Sequence, residues 1–380
     1  MDEFAMRALE HLKKLVSIPS ASGNENEVAE YCYRTVEAAG FRAEKIPTDD
    51  GRFVVYAEMQ GGRPGKTLLF SGHIDTVPVV GGWDTDPHTA VLKTVGGEER
   101  LYGLGASDMK SGIALMLALA EYMGGKGPDA FSGVLSMAFL PDEEAYSVGA
   151  RTLIKHGVKA DVSVMTEPGF GQIYVGGPGK MLVKAVAKGK ACHGARPEEG
   201  INAVVELAKL IAVLDKIPLH DDGEMGPQQY VPFSIKGGPD HYSLSVPQDC
   251  YCFISKQLVP GETKEEVFAN LEEAVRGLNI QGSITFELSK PFYMPYRVDE
   301  TSAEFKLFEE VCKKELGCVP PYAIEPSVSD SNCLSGEAGI PVIMFGADGH
   351  GNHQANEYVV VSSIDAVGRV YRGFTHSYLA

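Results

Sequence analysis

The chain of 380 residues lacks the features that mark membrane-bound and nucleic-acid-binding proteins. It has no apolar run long enough to span a bilayer, and residues 1–20 lack the apolar core of a secretory signal. Its 34 Lys and Arg residues are outnumbered by 51 Asp and Glu residues, which gives a formal net charge of −17. Because nucleic acids and anionic membranes require a basic surface, neither is expected as a partner.

Cysteine is also scarce, with seven residues scattered along the chain. No two of them form a Cys-x-x-Cys pair, so neither a zinc ribbon nor a disulfide framework is indicated. Cys250 and Cys252 lie in an alternating, strand-like segment that would direct both thiols to one face. The cysteines therefore predict a reduced, cytoplasmic protein.

The order of predicted strands and helices indicates two domains. Up to residue 177, strands alternate with helices, which predicts an α/β domain with a mixed, largely parallel sheet covered by helices on both faces. Residues 178–292 read strand, helix, strand, strand, helix, strand, the order of a split β-α-β unit with a four-stranded sheet and two helices. This α+β domain would be inserted into the first, which residues 293–380 complete.

One motif stands where a buried strand is predicted to end. The apolar residues 67–70 are followed by the sequence SGHIDTVP, which contains His73 and Asp75. Residues two apart in an extended chain face the same way, so Asp75 could be a second acid in the site or could orient the imidazole. Alone the motif is weak, and it needs matching ligands elsewhere in the chain.

Further acidic and imidazole residues occur after other predicted strands, where α/β proteins bind ligands. Two histidines with several carboxylates and no thiolate suit zinc, cobalt or manganese. The surplus of carboxylates over one tetrahedral site favours two ions bridged by one carboxylate. These residues are Asp108 at a helix start, Glu143, Glu144 and Glu167 after strands, and His350 and His353 near the chain end.

Each of these residues also has a simpler interpretation. Asp108 could cap a helix, and Glu143 and Glu144 could be solvated loop charges. Glu167 could be a turn residue, and the two histidines could form hydrogen bonds in a polar loop. Singly the simpler interpretations are favoured, whereas their joint occurrence at strand ends favours the metal site.

Together the motifs closely resemble the co-catalytic zinc peptidases and deacylases, which include acetylornithine deacetylase, succinyl-diaminopimelate desuccinylase and glutamate carboxypeptidase. The resemblance extends over nearly the whole chain and implies two Zn²⁺ ions, with Co²⁺ or Mn²⁺ possible. It implies Asp108 as bridging ligand, with His73 and Glu167 on one metal and Glu144 and His353 on the other. Glu143 matches the general base, and Asp75 matches the acid that orients His73.

The resemblance implies a hydrolase that cleaves the amide bond of an N-acyl amino acid or a small peptide. In it, two cations lower the pKa of a bridging water, and Glu143 takes its proton and later passes it to the departing amine. The metal-bridging hydroxide attacks the carbonyl. A dipeptidase or a carboxypeptidase is the alternative to a deacylase.

The inserted domain resembles the dimerisation or lid domain of this family. His193 matches a histidine that stabilises the oxyanion in the partner subunit's active site, which implies a homodimer. Asn202 also matches a family position, although it could simply cap a helix. Relatives carry a substrate-binding Arg where this chain has Lys256-Gln257, so the substrate stays open because Lys is not equivalent to Arg.

Other classes of protein fit less well. Ser147 approaches the nucleophile elbow of a serine hydrolase, but the adjacent Glu pair would oppose formation of an oxyanion. Gly103 and Gly105 lack the third glycine of a dinucleotide-binding fingerprint. A binding module without activity would normally have lost a ligand or the base, and neither is missing here.

Overall fold

The computed structural model describes residues 1–239, His241 and residues 243–380. The chain forms two compact units, which are described separately. The first contains Met1–Gly176, Arg297–Glu325 and Ser329–Ala380, and the second contains Gly177–Tyr296 and Pro326–Val328. The sequence-based division into a catalytic domain and an inserted dimerisation or lid domain at residues 178–292 stays a prediction.

Polar side chains cap the N-termini of two of the helices. Asp2 caps the first helix, because its side chain accepts a hydrogen bond from the N–H of Ala5. Asn202 caps the fifth helix in the same way, with Oδ1 2.9 Å from the nitrogen of Val204. The helices of the described residues are α1 (Glu3–Val16), α2 (Asn26–Ala38), α3 (Lys110–Lys126), α4 (Val148–His156), α5 (Ala203–Ile211), α6 (Lys264–Arg276), α7 (Ala303–Leu316) and α8 (Val361–Tyr378).

None of these helices, within the residues that the structure describes, combines the length and the apolar composition required to cross a membrane.

Most strands are short, and the longest strands belong to the two main sheets. The strands are β1 (Arg42–Pro47), β2 (Phe53–Gln60), β3 (Arg63–His73), β4 (Val91–Val95), β5 (Glu98–Tyr102), β6 (Ser132–Leu140), β7 (Val162–Met165), β8 (Ile173–Tyr174), β9 (Gly176–Gly177), β10 (Gly179–Lys188), β11 (Tyr230–Gly237), β12 (Asp249–Leu258), β13 (Ser283–Tyr293), β14 (Tyr296–Arg297), β15 (Tyr322–Ala323), β16 (Val342–Met344), β17 (Gly349–His350) and β18 (Tyr358–Val360).

The main sheet of the first unit is mixed and largely parallel. Its strand order, within the described residues, is β1-β2-β6-β3-β7-β16-β8-β15. β3 pairs in parallel with β6 and β7, and β16 pairs in parallel with β7, whereas β1 and β2 are antiparallel additions at one edge. This confirms the predicted α/β fold class.

The centre of this sheet is buried and apolar. Leu68, Leu69 and Phe70 of β3 are fully buried, and β7 is buried along its whole length. The apolar helix α3 is buried over most of its length as well. Because β3, β6 and β7 run parallel, their carboxyl ends reach the same edge of the sheet, and the loops that follow them meet there.

The second unit is an antiparallel sheet with two helices, as the sequence predicts. Its strand order is β11-β12-β10-β13, and the helices α5 and α6 belong to the same unit. Alternate residues of β10, including Met181, Val183 and Ala185, are fully buried in the core of this unit. This alternation is the pattern of a sheet with one face on a core.

Two local expectations from the sequence are wrong, and one element is missing from them. Asn24 or Asn26 is expected to cap the second helix, whereas its N-cap is Glu25, without a side-chain hydrogen bond to the helix. The alternating residues 243–258 are expected to form one strand, whereas β12 begins at Asp249. The hairpin of β4 and β5, joined by Gly96 and Gly97, is not predicted, because charged residues obscure its alternation.

Candidate metal centre

His73 lies at the carboxyl end of β3, and its ring is almost completely buried. Its Nε2 atom is 3.1 Å from Oδ1 of Asp108, 3.5 Å from Oε1 of Glu167 and 3.9 Å from Oε2 of Glu143. Its Nδ1 atom is 3.0 Å from the backbone oxygen of Asp75. The parallel sheet thus brings together residues that are far apart in the sequence.

Asp108 lies between two imidazole rings. Its Oδ2 atom is 3.5 Å from Nε2 of His353, while its Oδ1 atom faces His73. Nε2 of His353 is also 2.9 Å from Oε2 of Glu144. The residue at the N-cap of α3 is Met109, so the Asp108 carboxylate contacts histidines and does not cap the helix.

Among the described residues, two sets of side chains hold their ligand atoms close enough to bind an ion. His73, Asp108 and Glu144 form one set, and His73, Glu143 and Glu167 form the other. Within each set the ligand atoms lie within 4.8 Å of one another. The sequence-predicted ligands of the first unit therefore lie together, with Glu143 beside them.

The charges of this cluster call for a cation. Burial raises the pKa of Glu143 and of Glu167 well above the ordinary value, and the mutual repulsion of the carboxylates raises it further. Burial also raises the pKa of Glu144. Burial alone would lower the pKa of His73, but Glu167 and Asp108 outweigh it and raise this pKa well above its ordinary value.

Oxygen and imidazole ligands without a thiolate suit a borderline-hard divalent ion, and Zn²⁺ binds both ligand types. A divalent cation would relieve the repulsion between the buried carboxylates. It would also replace the protons that His73 and His353 hold in these contacts, since imidazole binds metal in its neutral form. The residues present therefore fit a metal centre.

Asp75 is fully buried beside His73. Its Oδ1 atom is 3.5 Å from Nδ1 of His73, within ion-pair distance, so its place agrees with the predicted support of the imidazole, and the role itself stays a prediction. Its carboxylate also accepts hydrogen bonds from the N–H groups of Glu143 and Glu144, at 3.0 and 3.1 Å, and from the hydroxyl of Ser22 at 2.7 Å. The side chain thus holds the loop that carries both glutamates.

The residue before Glu143 adds a second restraint on that loop. Asp142 has a positive φ of 74°, a conformation that L-residues adopt only when the surroundings hold it. Its Oδ1 atom is 2.7 Å from the guanidinium of Arg52, which also lies 2.6 Å from Oε1 of Glu25. All three side chains are nearly buried, so this ion cluster fixes the start of the loop.

The proposed serine nucleophile does not have the exposure that such a residue needs. Ser147 is fully buried in the left-handed conformation at the start of α4. A nucleophile elbow requires its serine to be exposed at the top of the sheet. The structure therefore offers no support for a serine hydrolase.

The sequence analysis missed Glu357 as a site residue. Its buried carboxylate accepts hydrogen bonds from the N–H groups of Gly105, Ser107 and Asp108, at 2.8 to 2.9 Å. The only signal in the sequence was its place at the end of the segment HQANE, four residues after His353.

Among the remaining candidates, His350 lies in the first unit, where its Nε2 atom is 3.2 Å from Oδ1 of Asp348 and its ring stacks on Tyr358.

The other candidates lie in the second unit. His193 is exposed in a loop, where its Nδ1 atom accepts a hydrogen bond from the N–H of Ala195 at 3.2 Å. Lys256 is fully buried and paired with Glu262 at 2.8 Å, so it does not offer its charge to a ligand. Gln257 lines a cavity of about 420 Å³ within this unit.

The chain is similar to known proteins over most of its length. Residues 69–377 match peptidase family M20/M25/M40. A succinyl-diaminopimelate desuccinylase of Wolinella succinogenes is 29% identical over 374 residues. The alignment covers 95% of this chain and 97% of the relative. The match therefore includes both units and every candidate site residue from His73 to His353.

Solved structures agree with the fold. Aminopeptidase PepT of Bacillus cereus superposes with a TM-score of 0.80 at 20% identity, covering 99% of each chain. An M20 family metallo-carboxypeptidase, Sso-CP2 of Sulfolobus solfataricus, superposes with a TM-score of 0.75 at 21% identity. That superposition covers 100% of this chain and 99% of the other. At these identities the likeness establishes the shared fold.

Proposed function

The chain belongs to peptidase family M20/M25/M40, and we propose that within it the protein removes the acyl group of an N-acyl amino acid. The protein is a metallo-hydrolase that acts on amide bonds. Its relatives include succinyl-diaminopimelate desuccinylases, whose name describes removal of a succinyl group. Because these relatives align over nearly the full chain, a deacylase is favoured over a dipeptidase or a carboxypeptidase.

The proposal depends chiefly on one observation, the position of Asp108 between His73 and His353. A carboxylate with one oxygen toward each imidazole is suited to bridge two ions. His73, Asp108 and Glu167 would hold one Zn²⁺, and Asp108, Glu144 and His353 would hold the other. Co²⁺ or Mn²⁺ would fit the same ligands.

When bound, the two ions would lower the pKa of water and polarise the carbonyl of the scissile amide. Glu143 takes the proton of the attacking water and transfers it to the departing nitrogen. The carboxylate of Glu143 lies beside the proposed ligands, with Oε2 3.9 Å from Nε2 of His73.

A panel of substrates would test the reaction. N-acetyl and N-succinyl amino acids, dipeptides and carboxyl-blocked peptides would be compared after addition of Zn²⁺, Co²⁺ or Mn²⁺. We expect the highest kcat/KM with an N-acyl amino acid and loss of activity after chelation. A preference for dipeptides with a free amino terminus would indicate a peptidase, and hydrolysis that resists chelators would contradict the metal mechanism.

We also propose a homodimer in which His193 of each subunit completes the partner's active site. The edge strand β11 supports an interface, because Val231, Phe233 and Ile235 are between 44% and 63% exposed along it. Apolar side chains on an unpaired edge strand favour association with a second copy.

Mixing two inactive variants would test this arrangement. Glu143→Gln and His193→Ala would each be purified and then mixed under conditions that exchange subunits. A hybrid dimer contains one site with both Glu143 and the partner's His193, so activity should return on mixing. A mixture that stays inactive, or a monomer in sedimentation, would contradict the proposal.

A reduced, cytoplasmic location fits the state of the cysteines. All seven lie within the described residues and are free, and five of them are buried. Because buried free thiols persist in reducing compartments, we expect seven titratable thiols in denaturant. A lower number in freshly purified protein would indicate disulfides and contradict this location.

A further inference from the structure

The buried carboxylate of Glu357 holds the turn that carries Asp108. One of its oxygens, Oε2, accepts a hydrogen bond from the N–H of Gly105 at 2.8 Å. The other, Oε1, accepts from the N–H groups of Ser107 and Asp108, each at 2.9 Å. The residue is 1% exposed, so water cannot easily replace these bonds.

Two further hydrogen bonds join the turn before α3 to the loop that carries His353. The backbone oxygen of Glu357 accepts a hydrogen bond from the N–H of Gly103 at 3.1 Å. The hydroxyl of Ser107 donates to Oδ1 of Asn352 at 2.6 Å. The turn before α3 and the loop that carries His353 are therefore bonded at three successive places.

The loop needs such restraints because its backbone is unusual. His353 and Asn356 have positive φ angles of 62° and 63°. Residues other than glycine keep this conformation only when the surrounding structure determines it. Oδ1 of Asn356 accepts a hydrogen bond from the N–H of Asp84, and Glu357 follows directly as the buried anchor.

We propose that Glu357 is a positioning residue that fixes Asp108 relative to His353 and thereby sets the geometry of the second metal position. This role rests on the proposed function, in which Asp108 and His353 bind the same ion. Glu357 contacts neither imidazole in the bonds described, and it acts through the backbone of the turn. Residues that orient metal ligands commonly change metal affinity or activity by about 10- to 100-fold when they are replaced.

The chemistry of the three bonds defines the informative variants. Glu357→Gln retains the size of the side chain but turns one acceptor oxygen into an NH₂ donor. That donor would face an N–H group of the turn, so at least one bond is lost. Glu357→Asp retains both acceptor oxygens on a shorter side chain and should restore part of the function.

Glu206→Gln is a matched control. Glu206 is also buried, at 3% exposure, and its Oε2 atom accepts a hydrogen bond from the N–H of Gln281 at 2.8 Å. It lies in the second unit, whereas the turn of Asp108 belongs to the first. It thus reports the effect of replacing a buried, hydrogen-bonded glutamate in general.

Two measurements test the role, and the first needs no metal. Hydrogen exchange of the metal-free protein should show faster exchange at Gly105, Ser107 and Asp108 in Glu357→Gln than in the wild type. Calorimetric titration with Zn²⁺ should show the site that includes His353 weakened about 10- to 100-fold, with a smaller loss at the other site, since Asp108 is a proposed ligand of both ions. In both measurements Glu357→Asp should give values between those of the wild type and Glu357→Gln. Glu206→Gln should behave as the wild type in both.

The outcomes separate this role from the proposed function. Unchanged exchange in the turn, or two wild-type metal sites in Glu357→Gln, would overturn the positioning role. A wild-type protein that binds no second ion would contradict the proposed function and, with it, the effect on metal geometry. The exchange result would then still decide whether Glu357 holds the turn.

Discussion

The carboxylate of Asp75 accepts a hydrogen bond from the backbone N–H of Glu143, with 3.0 Å between Oδ1 and the nitrogen. The two residues are 68 positions apart, and the bond crosses from the loop after β3 to the loop after β6. This buried carboxylate therefore holds the backbone of the proposed general base. Its Oδ1 atom also lies 3.5 Å from Nδ1 of His73, and its backbone oxygen lies 3.0 Å from the same nitrogen.

Asp75→Asn tests this alignment. The amide places an NH₂ donor against the N–H of Glu143 or Glu144, so one of the two bonds is lost. We expect kcat to fall about 10- to 100-fold, while the protein still binds its metal. Steady-state kinetics and metal analysis of the same preparation would measure both effects.

Ser22→Ala is the control for that variant, because the hydroxyl of Ser22 donates to the other oxygen of Asp75 at 2.7 Å. It removes one bond to Asp75 and leaves both bonds to the loop, so kcat should stay within a few-fold of the wild type. An equal fall of kcat in the two variants would mean that the bonds from Asp75 to Glu143 and Glu144 are not what aligns the base.

Arg52→Gln should unfold more easily than the wild type. The change leaves Glu25 and Asp142 buried without their cation, and breaking a buried ion pair costs about 3–5 kcal/mol. Activity should fall as well, because Asp142 precedes Glu143. Urea unfolding would measure the change in the free energy of unfolding.

The exposed pair of Arg42 and Glu58 provides the comparison. Arg42→Gln removes a solvent-screened surface ion pair, so the free energy of unfolding should change little. If the two arginine variants lost similar stability, the buried cluster around Arg52 would not restrain the loop as described.

His11 gives a pH dependence that is separate from the metal centre. Its ring is buried, with Nδ1 2.7 Å from the hydroxyl of Tyr31 and Nε2 3.2 Å from Oε2 of Glu121. Burial lowers the pKa of His11 below its ordinary value of 6.5, although Glu121 partly opposes this. As the pH falls through 6.5, the unfolded chain gains a proton before the folded chain does, so stability decreases.

His11→Gln removes that proton uptake. Below pH 6.5 the wild type should lose stability relative to this variant, by up to about 1.4 kcal/mol per pH unit. Unfolding curves between pH 5.5 and 7.5 would show it, with the exposed His220 replaced by Gln as the control. A constant difference across this range would mean that His11 titrates alike in both states.

The sequence predicted the parts of the site that follow from strand order. Apolar segments before His73 and Glu167 mark strands whose ends meet when the sheet is parallel, so the convergence of the ligands could be expected. The carboxylates and histidines also carry recognisable chemistry. The apolar residues 162–165, which precede Glu167, form the parallel strand β7.

The bonds that hold the ligands in place could not be predicted. Glu357 and Asp108 are 249 residues apart, and a carboxylate that accepts backbone N–H groups imposes no pattern on the sequence of the turn it binds. The same holds for Asp75 and Glu143. For the hairpin of β4 and β5, the Gly96-Gly97 pair was an available turn signal.

In the proposed mechanism, Glu143 moves the proton while other residues hold the metal. Glu143→Gln retains the shape of the side chain and removes its basicity. The variant should bind two metal ions per chain, as the wild type should, and its kcat should be lower by about 10²- to 10⁴-fold. Turnover near the wild-type rate in a fully metal-loaded variant would contradict this account.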